Sequence, residues 1–327
     1  MKKIIGSALS GLYRMGLVAT QASYRMLPFR IKKVDAKVIS VGNITWGGTG
    51  KTPLTAKIAK DLAYYGKKVA VLTRGYGNDE VEELKKKLPD IPVLVGRDRV
   101  KTAREAVEKY QAEFLVLDDG FQHLRLERQL DIVNINSVLP FGPGGLIPAG
   151  TLREPLESLS RADIFILTKS NLGAKNLPQI RQKLLSIKPN ATIFEAVHKP
   201  LRFLDVPRNR QVGLHEMKNR RVAVISAIAD PFSFEKTVEN VGAEIVLAAR
   251  FDDHYEFTQQ DLTNFVAQAR SLGAREVITT EKDFFRIEPH LKNAPELATY
   301  NFLALEIEFQ INDEEDFIRR CLNPQRG

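Results

Sequence analysis

The stretch Val38-Ile39-Ser40-Val41-Gly42-Asn43-Ile44-Thr45-Trp46-Gly47-Gly48-Thr49-Gly50-Lys51-Thr52 constrains this chain more than any other. Its β-branched start reads as a buried strand, its glycines as a turn, and its end as the first residues of a helix. From Pro53 onward Leu54, Ile58 and Leu62 recur four apart, as on one helix face. Pro53 suits a first helical turn, where a missing N–H costs nothing. Gly47, Gly48, Thr49 and Gly50 let backbone N–H groups wrap an anion at the helix N-terminus. Lys51 then reaches β- and γ-phosphates, and the Thr52 hydroxyl is placed for magnesium. The motif departs from G-x-x-x-x-G-K-[ST] at its first position, where Thr45 stands. A flexible glycine loop before an ordinary lysine is the plain alternative. The order strand, loop, Gly-Lys-Thr, helix favours a phosphate-binding loop.

Around that loop the chain alternates strands and helices, which predicts a doubly wound, mostly parallel α/β sheet followed by a second, smaller α/β domain. Strands are expected at residues 68–73, 92–95, 114–117, 131–136 and 163–168, with helices at 80–88 and 99–110. A stretch rich in Pro, Arg and Asn at 200–221 marks the domain junction. The second unit is expected to run strand 222–226, helix 232–241, strand 244–248, helix 259–272 and strand 276–280. A strand over 302–309 and a helix over 313–321 close the chain. The expected division is 1–33, 34–205, 206–300 and 301–327, the last packing back on the first domain. At 327 residues, with 43% hydrophobic and 27% charged residues, the chain has the composition of a globular protein of two domains. The one cysteine, Cys321, permits neither an internal disulfide nor a thiolate metal cluster.

The net charge of +8 is concentrated at the start. Residues 1–33 hold Lys2, Lys3, Arg14, Arg25, Arg30, Lys32 and Lys33 and no acidic residue. Residues 4–27 read as an amphipathic helix, with Ser7, Ser10, Arg14, Gln21 and Arg25 as its polar stripe. No uncharged run there exceeds ten residues, too short for the ~20 apolar residues that span a bilayer. The helix therefore either lies in an anionic membrane interface or packs on the body. Neither a nucleic acid nor an obligate protein partner is expected.

Phe114-Leu115-Val116-Leu117-Asp118-Asp119 is an apolar strand that releases two carboxylates at its C-terminal end. In a parallel sheet that end faces the phosphate loop, so Asp118 and Asp119 are candidate magnesium ligands. A simple turn is the alternative.

With these residues in hand, the chain resembles the tetraacyldisaccharide 4'-kinases, which phosphorylate the lipid A precursor disaccharide on the cytoplasmic face of the inner membrane. The matching residues begin with Val41-Gly42-Asn43, Gly47 to Pro53, Arg74-Gly75-Tyr76 and Leu117-Asp118-Asp119-Gly120-Phe121-Gln122-His123. Leu146 to Pro155, Ile228-Ala229-Asp230-Pro231-Phe232, Asp253-His254 and Thr280-Glu281-Lys282-Asp283 follow in family order. The resemblance implies ATP as donor, Mg²⁺ as cofactor and a lipid disaccharide 1-phosphate as acceptor. It implies a peripheral enzyme on the cytoplasmic side of the inner membrane. It puts Lys51 and Thr52 on the nucleotide phosphates and metal, Asp118 and Asp119 near that metal, and Arg153 and Glu154 beside the transferring phosphoryl. Without it, Arg153 and Glu154 read equally as a surface ion pair. The family pairs a carboxylate after Arg-Gly-Tyr with a histidine of the second domain. His254 matches the histidine, and Asp79 is the nearest match to the carboxylate. Here the chain runs Tyr76-Gly77-Asn78-Asp79-Glu80-Val81, shorter than the family pattern and with Val where the family has Pro. Asp79 thus reads either as the catalytic base or as a helix N-cap. Two other classes fit the phosphate loop: a membrane-attached nucleotide switch and a soluble small-metabolite kinase.

Overall fold

A computed structural model describes every residue except 1, 76–77, 143, 206–207, 209, 295–296, 298–299 and 326–327, and leaves the side chains of residues 2–8 and 78–80 undescribed. The chain forms two compact units, Met1–Val197 with Phe309–Gly327, and His198–Glu308.

The first unit opens with α1 (Lys2–Met26) and then builds a parallel sheet from β1 (Lys37–Asn43), β2 (Val69–Thr73), β3 (Val93–Val95), β4 (Phe114–Asp118), β5 (Leu130–Asn136), β6 (Ile164–Thr168) and the start of β7 (Thr192–Asp205). The spatial order is β3-β2-β4-β1-β5-β6-β7. β1 therefore sits between β4 and β5, and chain direction across the sheet reverses beside it. In open α/β sheets ligands bind at the strand C-termini of such a switch point. Val41 lies in register with Asp118, so the phosphate loop and the paired carboxylates leave neighbouring strands at the same level.

Both faces of this sheet are covered, which is why its strands are apolar without alternation. On one face Ile39, Val41 and Val116 pack under α2 (Lys51–Tyr64), whose Leu54, Ile58 and Leu62 have no exposed surface. The C-terminal helix Glu314–Leu322 adds Phe317, Ile318 and Cys321 to that core. On the other face Val38, Leu72, Leu115 and Leu117 pack under Val100, Ala103 and Ala106 of α4 (Arg99–Tyr110). Asp98 caps α4, its carboxylate accepting from the Val100 and Lys101 N–H groups. Asp79 lies in the first turn of α3 (Asn78–Lys87); Tyr76 and the side chain of Asp79 lie outside the described residues. An eleven-residue helix, α5 (Leu177–Ile187), buries Ile180 and Leu184 against Phe165 and Leu167. Sequence periodicity did not point to it.

The second unit has β9 (Arg221–Ser226), β10 (Glu244–Arg250), β11 (Glu276–Thr280) and β12 (Asn301–Ile311) in parallel order β10-β9-β11-β12, with β8 (Arg210–Val212) antiparallel to the end of β7. Its helices are α6 (Pro231–Asn240), α7 (Gln259–Ser271) and α8 (Glu281–Asn293). The units divide inside β7, between Val197 and His198, and again inside β12, between Glu308 and Phe309, whereas the sequence placed the first division at residue 205 and the second at 300. Pro200 reads as a break in the sequence, yet the strand continues through it. The Thr280–Asp283 segment forms the N-terminus of α8, with the Thr280 hydroxyl accepting from the Asp283 N–H.

Candidate active site

Asn43, the last residue of β1, organises the loop that follows. Its Nδ2 donates to the carbonyl of Thr45 at 2.7 Å and of Gly47 at 3.4 Å, and its own carbonyl accepts from Gln122. Gly47 (φ 115°) and Gly50 (φ 77°) take backbone conformations that side chains resist. Gly50 is the N-cap of α2 and offers no side-chain acceptor, so the first N–H groups of the helix remain available to an anion. Lys51 follows as the first helical residue and Thr52 as the second. Thr49 is buried, and its hydroxyl and the Asn134 Oδ1 beneath it are buried polar atoms with no protein partner among the described residues.

The two aspartates have separate surroundings. Asp118 is 3% exposed and its Oδ1 accepts from the Thr55 hydroxyl of α2 at 3.0 Å. Arg99, also buried, donates to the Asp118 carbonyl at 2.9 Å. Asp119 turns out of the strand at φ 52°, a left-handed conformation uncommon for a residue with a side chain. That turn carries its carboxylate between two cations. Arg153 grips it with both fork nitrogens, Nη1 to Oδ1 at 2.7 Å and Nη2 to Oδ2 at 3.0 Å, and the Lys51 ammonium lies 3.7 Å from Oδ1. Burial opposes the charge on Asp119, but Lys51, Arg153 and Arg99 outweigh it and hold the carboxyl below its usual range.

Arg153 reaches this position because its strap is stitched to the phosphate loop. The Arg153 N–H donates to the Ile44 carbonyl at 2.8 Å, Trp46 N–H to the Thr151 carbonyl at 2.7 Å, and Arg153 Nη1 to Asn43 Oδ1 at 3.2 Å. Glu154 is engaged by other partners. Both its oxygens accept from Arg161 Nη2, at 3.0 and 2.8 Å, and Oε2 also accepts from Gln21 of α1. Arg161 in turn lies 4.4 Å over the ring of Phe121. Phe121 touches β1 so closely that a Cβ on Gly42 would come within 2.5 Å of it.

In the second unit the later motifs converge as well. His254 (φ 64°) donates its N–H to the Ala227 carbonyl, and its ring nitrogens lie 3.3 Å from the Lys282 ammonium and 3.4 Å from Arg286 Nη2. Asp253 pairs with Lys282 at 3.7 Å. Asp283 is buried, accepts from the Ala227 N–H and the Thr280 hydroxyl, and pairs with Arg286. Burial pushes its carboxyl up.

Sequence reading did not single out Arg99, Arg128 or Arg161. Arg128 pairs with the buried Asp131 at 3.2 Å and donates to the carbonyls of Gly120, Phe121 and His123. A buried arginine that binds carbonyls looks like any surface arginine in a sequence. Residues able to hold nucleotide phosphates are therefore the 47–50 backbone, Lys51 and Arg153. Thr52, Asp118 and Asp119 supply the hard oxygens that suit magnesium. Among the described residues no group of three or more His, Cys, Asp or Glu side chains is arranged to hold a metal ion.

Backbone amides around an anion site, a lysine at the helix start and an acidic strand end beside it define a P-loop phosphotransferase. The chain belongs to the family of tetraacyldisaccharide-1-P 4'-kinases, whose model matches residues 3–324. It is 34% identical over 335 residues to a tetraacyldisaccharide 4'-kinase of Syntrophus aciditrophicus, covering 93% of this chain and 88% of that one. A 4'-kinase of Anaeromyxobacter dehalogenans is 38% identical over 287 residues, with 80% and 75% covered. Among solved structures, an LpxK from Aquifex aeolicus, described as an apo form in complex with ATP, superposes with a TM-score of 0.72 at 27% identity, with 99% of each chain covered. The chain is thus a lipid-sugar kinase of lipid A biosynthesis.

Proposed function

We propose that the γ-phosphate of ATP is transferred to the 4'-hydroxyl of a tetraacyl disaccharide 1-phosphate held at an anionic membrane surface, with Lys51, Asp119 and Arg153 acting on the nucleotide side. The observation that carries this reading is the Lys51–Asp119–Arg153 constellation at the N-terminus of α2. Phosphoryl transfer has a loose transition state whose charge spreads over the equatorial oxygens, so positioning and charge stabilisation do most of the work. Lys51 supplies a point charge, and Arg153 a planar fork fixed by Asn43 and Asp119. Asp119 restrains both cations and stays ionised. Magnesium, when bound by Thr52 and the aspartates, supplies further neutralisation of phosphate charge. The resemblance assigns activation of the acceptor hydroxyl to Asp79, oriented by His254, with Glu154 near the transferring group. In this structure Glu154 is engaged by Arg161 and Gln21, which supports a positioning role for it. His254→Ala and Asp79→Ala are each expected to lower kcat about 10²-fold with little change in the KM for ATP. The double variant should be little worse than either single one if the two act as a unit. Multiplicative losses would separate them, and an unaffected Asp79→Ala would place the base elsewhere.

The membrane reading rests on α1. Leu12, Met15 and Met26 leave between 65% and 79% of their surface exposed, and Leu9, Val18 and Phe29 are exposed beside them. No described helix is long and apolar enough to cross a bilayer. An exposed apolar face flanked by Arg14, Arg25 and Arg30 suits a headgroup layer, here that of the cytoplasmic side of the inner membrane. Flotation with anionic vesicles measures this directly. Association should weaken as salt rises, because each basic residue near such a surface contributes about 1 kcal/mol. Full transfer to vesicle-embedded acceptor by a protein that never floats would contradict it.

A further inference from the structure

Amphipathic helices on soluble bodies turn apolar residues inward. α1 does the reverse: Ser10, Tyr13 and Gln21 face the body, and Leu9, Leu12, Met15 and Val18 are exposed or nearly so. The three inward residues all bond to one segment. Ser10 Oγ donates to the Leu146 carbonyl at 2.8 Å and accepts from the Ala149 N–H at 3.1 Å. Tyr13 Oη donates to the Arg153 carbonyl at 2.9 Å. Gln21 Nε2 donates to Glu154 Oε2 at 2.5 Å and to the Ser158 hydroxyl at 3.3 Å. That segment carries the arginine that grips Asp119.

We propose that Tyr13 and Gln21 are positioning residues for phosphoryl transfer: α1 fixes the backbone and neighbour of Arg153, so the seating of the helix is sensed at the transferring phosphoryl. The path is short. Tyr13 holds the carbonyl of Arg153 itself. Gln21 holds Glu154, which is 2% exposed and otherwise bonded to Arg161. Arg161 stacks on Phe121, two residues after Asp119. A shift of α1 therefore moves Arg153 from one side and the Asp119 loop from the other. Buried carboxylates tolerate such shifts poorly, because a broken bond leaves the charge under-solvated. The consequence is a helix whose outer face meets lipid and whose inner face sets the geometry of the charge clamp.

The inference rests on Arg153 acting at the transferring phosphoryl, and the test separates the two. Full-length protein is assayed with acceptor in anionic vesicles at saturating ATP and acceptor, with flotation and thermal melting measured in parallel. Tyr13→Phe keeps the ring and removes one hydrogen bond; kcat should fall roughly three- to tenfold. Gln21→Glu sets a second carboxylate against Glu154, and kcat should fall tenfold or more. In both, flotation and the KM for ATP should match wild type, which neither a membrane anchor nor a purely structural helix would produce. Thr20→Ala, whose hydroxyl donates to the Gly16 carbonyl of its own helix, should behave as wild type. Should kcat be unchanged in both variants while Arg153→Ala is strongly impaired, the positioning role is overturned. Losses that merely track lost flotation overturn it too, in favour of a plain anchor. Wild-type kcat in Arg153→Ala would instead overturn the reading of Arg153 beneath it.

Discussion

Lys51→Ala should lower kcat roughly 10³-fold, the scale seen when a single preorganised donor to developing charge is removed. The chain should stay folded. Lys51 opens α2 with its ammonium directed to Asp119, and the α2 core rests on Leu54, Ile58 and Leu62 instead. The amides of residues 47–50 remain, so ATP should still bind, with its KM changed much less than kcat. Lys51→Arg should not restore activity. A longer planar fork cannot replace a compact ammonium in a site that already holds the Arg153 fork. Melting temperature and single-turnover transfer together check this. Wild-type turnover in Lys51→Ala would remove the phosphate loop from the mechanism.

Asp119→Asn should be comparably severe, about 10³-fold, because one charge serves three purposes. It receives both nitrogens of Arg153, balances Lys51 and offers a hard oxygen to magnesium. An asparagine amide presents one acceptor oxygen to a fork that needs two, and leaves two cations facing each other. The variant should also demand more Mg²⁺ for half-maximal rate. A magnesium titration is the measurement. An unchanged requirement would confine Asp119 to restraining Arg153 and leave Asp118 as the metal's protein ligand.

Much of the first unit was legible from residues 38–62 alone. A strand, an anion-binding turn and a helix with Leu54, Ile58 and Leu62 on one face leave few alternatives to a parallel sheet. β4 was legible because its apolar run ends abruptly in two carboxylates. The helix expected over 99–110 is α4, and the Asp98 side chain that caps it became visible only in the structure. What was missed has a common cause. α5 begins at a proline-containing turn, α8 has Pro289 within it, and β7 runs through Pro200. Proline is a sound local signal for a break, but tertiary packing overrides it. Phe203 holds the far part of β7 by burial, and Phe284, Ile287 and Leu291 do the same for α8.

The site was legible where chemistry follows strand order. Lys51 and Asp119 meet because β1 and β4 are parallel neighbours, a relation implied by the phosphate loop itself. Arg153 came from the family resemblance, and the hydrogen bonds between residues 44–46 and 151–153 explain how it arrives. Glu154 differs. Its sequence neighbour grips Asp119, whereas the Glu154 carboxylate accepts from Arg161 and from Gln21 of α1. Of the polar stripe expected on α1, Ser10 and Gln21 face inward while Arg14 and Arg25 are exposed, and Tyr13 was not part of it. The partners of the inward residues were not legible, since they lie more than 130 residues away.

The most direct test follows labelled γ-phosphate from ATP incubated with the protein and tetraacyl disaccharide 1-phosphate in anionic vesicles. The label should appear in the lipid fraction, on the 4'-hydroxyl, only when Mg²⁺ is present, and it should vanish in Lys51→Ala. Label recovered solely as inorganic phosphate, with the lipid unlabelled, would contradict a lipid-sugar kinase and leave a nucleotide-hydrolysing switch.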